Sequence, residues 1–209
     1  MIEVVEQINS VERRVGSRTF DAGEVRTVVI ARTYDAALED VWDACTNPER
    51  IPRWFLPVSG DLRVGGRYQL EGNAGGAIES CEPPRSFAAT WEFGGSVSWI
   101  ELRLAEVAGG RTRFELEHIA PGDDEHWAQF GPGAVGVGWD LALIGLGLHL
   151  SSGAAVDRDA AAAWSASEEG QQFTSLSSRR WCEAAIEAGG DPAGARSAAE
   201  RTTRFYAGA

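Results

Sequence analysis

Lysine is absent from this chain of 209 residues, so all 19 of its basic residues are arginine. Without a lysine amine the chain can form no Schiff base and has no phosphate-binding P-loop lysine. Its 31 acidic residues give a formal net charge of -12, and no run of basic residues interrupts that excess. Because neutralisation of phosphates supplies most of the affinity for nucleic acids and anionic membranes, we expect neither as a partner.

Cysteine is scarce, and the three residues Cys45, Cys81 and Cys182 lie far apart without a Cys-x-x-Cys spacing. That pattern favours neither a disulfide framework nor a zinc site. The longest apolar run, Leu141 to Leu148, is much too short to span a membrane. The first residues lack the basic start and apolar core of a signal peptide, so we expect a cytoplasmic protein with reduced thiols.

Glycine pairs punctuate the central part of the sequence and separate segments of β character. Such pairs supply the positive φ angles that tight hairpin turns require. The pairs are Gly65-Gly66, Gly75-Gly76, Gly94-Gly95 and Gly109-Gly110. The predicted strands are Arg67 to Leu70, Phe87 to Phe93, Ser98 to Leu104 and Thr112 to His118. Strands and turns that follow one another in this way predict an antiparallel meander.

Alternation within these strands assigns their faces. One face collects apolar residues and one histidine, and the other is polar, which predicts a sheet covered on one side only. The apolar face holds Phe87, Ala89, Trp91, Phe93, Ile100, Leu102, Leu104, Phe114, Leu116 and His118.

Helices are predicted on both sides of the meander. The spacing of Val5, Ile8, Val11 and Val15 predicts an N-terminal helix. A strand at 25–32, a helix at 35–45 and a second short helix that starts at Pro48 and runs through Ile51 to Trp54 follow it. After the meander, Asp123, Asp124 and Glu125 precede a helix at about 127–150 that is apolar nearly all round, so the C-terminal segment or a second subunit must cover it. In the tail, a capping box at 165–168 starts one helix, Gly189-Gly190 ends it, and Asp191-Pro192 starts another.

This order of elements is the helix-grip arrangement, and several short motifs resemble START-related SRPBCC proteins. The motifs are Tyr34-Asp-Ala, Val41-Trp42, Asn47-Pro-Glu, Arg53-Trp54-Phe55, Gly65-Gly-Arg67, Glu82-Pro-Pro-Arg85, Thr90-Trp91 and Gly138-Trp139. Within that superfamily they resemble the branch named after the C-terminal domain of activators of a heat-shock chaperone ATPase. The resemblance spans roughly residues 24–150.

The resemblance implies an α+β fold in which a curved antiparallel sheet surrounds a long C-terminal helix, with an apolar cavity between the two. We therefore expect an N-terminal helical extension at 1–23, a START-like helix-grip domain at 24–150 and a helical C-terminal extension at 151–209. The candidate ligand-binding residues are Trp54, Phe55, Tyr68, Trp91, Phe93, Phe114, Leu116, His118, Trp127, Phe130 and Trp139. Each of them alone fits an ordinary core position, but as a set they favour a pocket.

Other motifs give weaker indications of a functional site than the aromatic set does. The sequence 131–136 formally matches a dinucleotide fingerprint, but no strand precedes it, so its glycines are better explained by close packing or a kink. His126 stands beside acidic residues that suit a helix start better than a metal site. No Ser-His-Asp or Cys-His arrangement is evident, and we assign no catalytic residue, metal or cofactor.

Three functions remain open from the sequence. The first is binding or carriage of a small lipophilic or aromatic molecule, which we favour over an enzymatic role. The second is a polyketide cyclase or dehydratase in which His118 would promote proton transfer. The third is a protein-interaction module similar to the chaperone ATPase activators. The apolar helix also predicts self-association into homodimers.

Overall fold

A computed structural model describes residues 2–20, 23–121 and 125–208 of the chain. It contains eight strands: β1 (Val11–Phe20), β2 (Gly23–Tyr34), β3 (Val58–Gly60), β4 (Arg67–Leu70), β5 (Gly75–Glu82), β6 (Ser86–Phe93), β7 (Ser96–Val107) and β8 (Arg111–Pro121). Its helices are α1 (Val4–Asn9), α2 (Leu38–Thr46), α3 (Glu125–Phe130), α4 (Gly133–Ser152), α5 (Arg158–Ala166), α6 (Glu168–Glu187) and α7 (Pro192–Tyr206), and a short 3-10 helix spans Ile51–Arg53.

The strands form one curved antiparallel sheet in the order β1-β2-β8-β7-β6-β5-β4-β3. From β3 to β8 each strand pairs with its neighbour in sequence, which is the predicted meander. Together with the long helices after the sheet, this confirms the predicted α+β helix-grip class.

The chain divides into two compact units. Unit 1 comprises residues 1–30, 121–141 and 157–209, and unit 2 comprises residues 31–120 and 142–156. Helix α4 contributes its first half to unit 1 and its second half to unit 2. The three-part division expected from the sequence stays a prediction.

The N-terminal helix prediction is wrong beyond Asn9, because Val11 and Val15 lie in strand β1. A spacing of four residues puts two side chains on one face of a helix and equally on one face of a strand. The exposure of β1 shows the second periodicity: Val11, Arg13 and Val15 are less exposed than the residues between them.

Gly75-Gly76 was predicted as a turn, but both glycines lie in strand β5 and are buried. A Cβ on Gly76 would lie 2.1 Å from the carbonyl oxygen of Thr90, and one on Gly75 would lie 2.5 Å from Oε1 of Gln69. Glycine is therefore needed here for close approach of the neighbouring strands. The turn lies earlier, at Gly72, whose φ is +68°.

The predicted faces of the meander are correct at most positions. Ile100, Leu102, Leu104, Phe114, Leu116 and His118 are all buried, with exposures between 1% and 6%. The expectation that only one side is covered fails on β8, where Glu117 and Ile119 on the opposite face are also buried.

The predicted long helix is interrupted at Gly131-Pro132, which separates α3 from α4. Gly131 has a φ of +61°, a conformation that ends a helix, and Pro132 lacks the N–H that would continue one. Asp123 and Asp124, which were expected to stabilise the helix start, lie outside the described residues.

Helix α4 is long and apolar enough to cross a membrane, but 56% of its most apolar window is buried inside the protein. That burial is typical of the core helix of a soluble fold. In unit 1 the C-terminal helices of the same chain cover the first half of α4, with the Trp181 ring where a Cβ on Gly136 would be and Thr202 beside Gly133. Self-association stays a prediction.

The C-terminal helices begin and end close to the predicted residues. Ser167, rather than Ser165, is the N-cap of α6, because its side chain accepts the N–H of Gly170. Asp191 caps α7 by accepting the N–H of Gly194, with Pro192 as the first helical residue, as predicted.

Candidate functional site

The strongest candidate site in unit 2 is a row of residues on the apolar side of the meander, which we call the inner face. Opposite residues of an antiparallel pair share a face, so the register defines this row. Tyr68 lies opposite Gly76, and Trp91 lies opposite Ser98. Because Gly75 pairs with Glu92, Gly76 is next to Trp91 across the strand pair. In this row Gly76 therefore lies between the two aromatic residues Tyr68 and Trp91.

His118 supplies the polar end of this row. It lies opposite Ile100 on the inner face, and its ring meets that of Trp91 edge-on at 6.0 Å. Its Nε2 lies 2.9 Å from Oγ of Ser98, and Ser98 Oγ donates to the carbonyl oxygen of Trp91 at 3.0 Å. With the hydroxyl hydrogen committed to Trp91, Ser98 accepts its second bond from Nε2–H of His118.

Burial sets the charge of these groups. It lowers the pKa of His118 to about 4, so the imidazole is neutral at pH 7. Burial also raises the pKa of Tyr68, which keeps its hydroxyl protonated as the donor to the carbonyl oxygen of Thr90 at 2.7 Å. The inner face thus combines aromatic surface with neutral polar groups.

The other predicted site residues of unit 2 lie outside this row. Trp54 and Phe55 stack on each other with ring centres 5.4 Å apart, and the indole Nε1 of Trp54 donates to the carbonyl oxygen of Ala44. Phe114 and Leu116 are buried further along β8, whereas Phe93 is 57% exposed at the hairpin tip.

The second half of α4 joins the inner face through Tyr34. The Tyr34 ring meets that of Phe114 edge-on at 6.3 Å, and its hydroxyl donates to the carbonyl oxygen of Leu143 at 3.0 Å. Gly145 allows close packing of the helix, because a Cβ there would lie 2.4 Å from the carbonyl oxygen of Trp54. Gly145 thus acts through close approach.

Comparison with known proteins identifies the family of this fold. The family model described as activator of Hsp90 ATPase homolog 1-like protein matches residues 35–149, more than half of the chain. The chain belongs to this family. The predicted resemblance to the chaperone ATPase activator branch is therefore confirmed.

Solved structures extend the likeness beyond the matched region. The crystal structure of CalU16 from Micromonospora echinospora is 38% identical, with 86% of this chain and 98% of CalU16 covered and a TM-score of 0.66. The solution structure of CalU16 gives 39% identity, coverage of 87% and 97%, and a TM-score of 0.69. DynU16, a protein of the dynemicin biosynthetic locus, shows the fold alone at 21% identity, with coverage of 62% and 48% and a TM-score of 0.52. No curated protein sequence matches the chain. Together these findings support a START-like ligand-binding domain in this family member.

Three predicted site residues of this family member lie in unit 1 instead. Trp127 and Phe130 are on α3, and Trp139 is buried on α4. The guanidinium of Arg26 lies 5.2 Å from the centre of the Trp127 ring, and Phe130 packs on Phe205 with ring centres 5.3 Å apart.

Sequence reasoning missed Ser98 and Gly76 as members of the inner-face row. Ser98 carried a usable signal, because strand alternation places it on the same face as Ile100 and Leu102. Gly76 did not, since a Gly-Gly pair in a strand and one in a turn look alike until the neighbouring backbone is known.

Proposed function

We propose that this protein binds a small lipophilic or aromatic molecule on the inner face of the sheet, between the sheet and the second half of α4. The observation that carries the proposal is the row Tyr68, Gly76, Trp91 and Ser98, in which a glycine separates two aromatic side chains. Burial of apolar ligand surface there stabilises a complex by about 25 cal/mol per Å².

The polar groups in the row suit binding better than proton transfer. A general base works best when its pKa lies near the operating pH, and the pKa of His118 is lowered to about 4. Since Nε2 of His118 donates to Ser98, it is not placed to accept the serine proton. His118 and Ser98 therefore serve to orient a ligand that carries a polar group.

The uncharged fluorophore N-phenyl-1-naphthylamine tests the proposal, because its emission rises when it enters an apolar site. Trp91→Leu removes an aromatic wall, and we expect it to weaken binding about tenfold or more. Trp99→Leu is the matched control, because Trp99 pairs with Thr90 and lies on the opposite face of the same strands. Equal affinities of the two variants, or no binding by the unaltered protein, would overturn the proposal.

His118→Ala separates binding from catalysis. We expect this variant to bind the fluorophore within a few-fold of the unaltered protein, because most of the contact is apolar. Native mass spectrometry of the protein from its own host would identify a retained molecule. Conversion of that molecule by the unaltered protein but not by His118→Ala would instead support the cyclase or dehydratase function.

A second candidate is a protein-interaction role, which the family description favours. It needs an exposed complementary surface and no ligand. Stimulation of a purified Hsp90-type ATPase by this protein, equal in Trp91→Leu and the unaltered chain, would support that role over ligand binding.

A further inference from the structure

Unit 1 contains a cavity of about 620 Å³ that shares no residue with the inner-face row. Its volume lies within the range of small-molecule sites, about 300–1,000 Å³. Strands β1 and β2, helix α3 with Pro132, the end of α6 and one face of α7 form its walls. Most of these segments lie outside the region that the family model matches.

The walls are apolar but carry little side-chain bulk. Gly194, Ala195, Ala198 and Arg201 line the cavity at the spacing of one helix face, so α7 presents small residues followed by a cation. Trp127 contributes a large flat apolar surface. Such walls leave room for a ligand body that could lie against the indole.

Two arginines lie on the α3 side of the cavity, because both contact that helix. The guanidinium of Arg26 lies 5.2 Å from the centre of the Trp127 ring, and Nε of Arg201 donates to the carbonyl oxygen of Gln129 at 2.6 Å. This partner of Arg201 is a neutral carbonyl.

Two carboxylates, those of Asp191 and Glu24, also line the cavity, and they lie at different distances from the arginines. Asp191 caps α7 by accepting the N–H of Gly194 at 2.7 Å. It lies ten residues before Arg201, which corresponds to roughly 15 Å along the helix. Glu24 is two residues from Arg26 and shares its strand face, so among the described residues that line the cavity it is a carboxylate that competes with an incoming anion.

We propose that this cavity binds a small amphipathic anion: an apolar, preferably aromatic body with one carboxylate, sulfonate or phosphate group. The body lies against Trp127 and the small residues of α7, and the anionic group lies on the α3 side, beside Arg26 and Arg201. Planar guanidinium groups suit such oxygen anions because they donate two parallel hydrogen bonds. The site is separate from the proposed inner-face site and does not depend on it.

A matched pair of probes tests the anionic part of the proposal. 8-Anilinonaphthalene-1-sulfonate has the aromatic body and one sulfonate, and N-phenyl-1-naphthylamine lacks the sulfonate. We expect the double variant Arg26→Gln, Arg201→Gln to bind the sulfonate probe about tenfold or more weakly than the unaltered protein does. Its affinity for the uncharged probe should fall much less. Glu24→Gln should strengthen binding of the sulfonate probe. Equal losses for both probes, or a weaker sulfonate complex in Glu24→Gln, would overturn the anionic assignment.

Filling the cavity tests its location. Ala195→Phe should abolish sulfonate-probe binding in calorimetric titration, whereas Ala193→Phe, on the exposed side of the same helix, should leave it unchanged. Ala188→Phe, which fills the cavity from the more exposed end of α6, serves the same purpose should Ala195→Phe not fold. If the sulfonate probe is lost only in Trp91→Leu, this inference is wrong and the inner-face proposal stands. Loss only in the filling variants supports this inference, and the inner-face proposal is then decided by its own test with the uncharged probe.

Discussion

Arg13 and Asp140 form a two-pronged ion pair inside unit 1. Nη2 of Arg13 donates to Oδ1 of Asp140 at 2.7 Å, and Nε donates to Oδ2 at 3.0 Å. The exposures of the two side chains are 4% and 0%. Ser177 Oγ and Trp181 Nε1 also donate to Oδ2, at 2.6 and 2.9 Å. One carboxylate therefore joins β1, α4 and α6.

Removing that carboxylate should strongly lower the free energy of unfolding. Asp140→Ala leaves the buried Arg13 charge without its partner, and breaking a buried pair in this way destabilises a protein by about 3–5 kcal/mol. The free energy of unfolding from urea titration checks this. Glu183→Ala removes the half-exposed pair with Arg180 and should cost at most about 0.5 kcal/mol. A loss below about 1 kcal/mol in Asp140→Ala would contradict this assignment.

Two glycines of α4 should respond oppositely to alanine. A Cβ on Gly136 would lie 2.4 Å from the Trp181 ring, which is held by its bond to Asp140, so Gly136→Ala should destabilise by about 1–3 kcal/mol. The nearest atoms to a Cβ on Gly147 are 3.5 Å away. Gly147→Ala should therefore stabilise the helix by up to about 1 kcal/mol. Thermal unfolding of both variants checks the pair, and equal shifts would contradict it.

The outcomes for the sheet show what the sequence can predict. Alternation placed Ile100, Leu102 and Leu116 on the covered face correctly, because a strand has a period of two whatever it packs against. Gly94-Gly95 and Gly109-Gly110 were correctly predicted as turns, and all four have positive φ.

The errors arose where one local pattern fits two structures. A glycine pair marks a turn or a place where neighbouring backbones approach, and only the position of Thr90 distinguishes these for Gly76. The bond between Ser98 and His118 could not be predicted from sequence, since it depends on the register of β7 and β8. The cavity in unit 1 was missed because alanine and glycine on α7 carry no binding signal of their own.

Thiol reactivity should follow burial. Burial raises the pKa of Cys45 to about 12, so its thiolate is nearly absent at neutral pH. Cys81 is exposed, and Cys182 is 8% exposed. In a titration with Ellman's reagent we expect one fast thiol, which Cys81→Ser removes, with the others reacting only on unfolding. A fast phase that persists in Cys81→Ser would contradict this order of reactivity.

The stability of the protein should fall as the pH drops below the ordinary histidine pKa. The pKa of His118 is lowered from 6.5 to about 4 by burial, so the unfolded chain takes up a proton that the folded chain refuses. The neutral imidazole makes its full contribution to the free energy of unfolding above pH 6.5. That contribution declines as the pH falls from 6.5 and changes no further below about pH 4.

At pH 5 that loss should reach about 2 kcal/mol. The Gln side chain of His118→Gln does not titrate. The free energy of unfolding of this variant should therefore decrease less between pH 7 and pH 5 than that of the unaltered protein. The exposed His126 provides the control, and His126→Gln should retain the full pH dependence. Asp43 and Glu92, whose pKa values are lowered by hydrogen bonds from Arg50 and Arg67, add little to this loss, because the ordinary values of 3.8 and 4.5 at which the unfolded chain takes up their protons lie below pH 5. Parallel pH curves for His118→Gln and the unaltered protein would show that the imidazole is hydrated in the folded state, and the neutral inner face on which the binding proposal rests would then have to be abandoned.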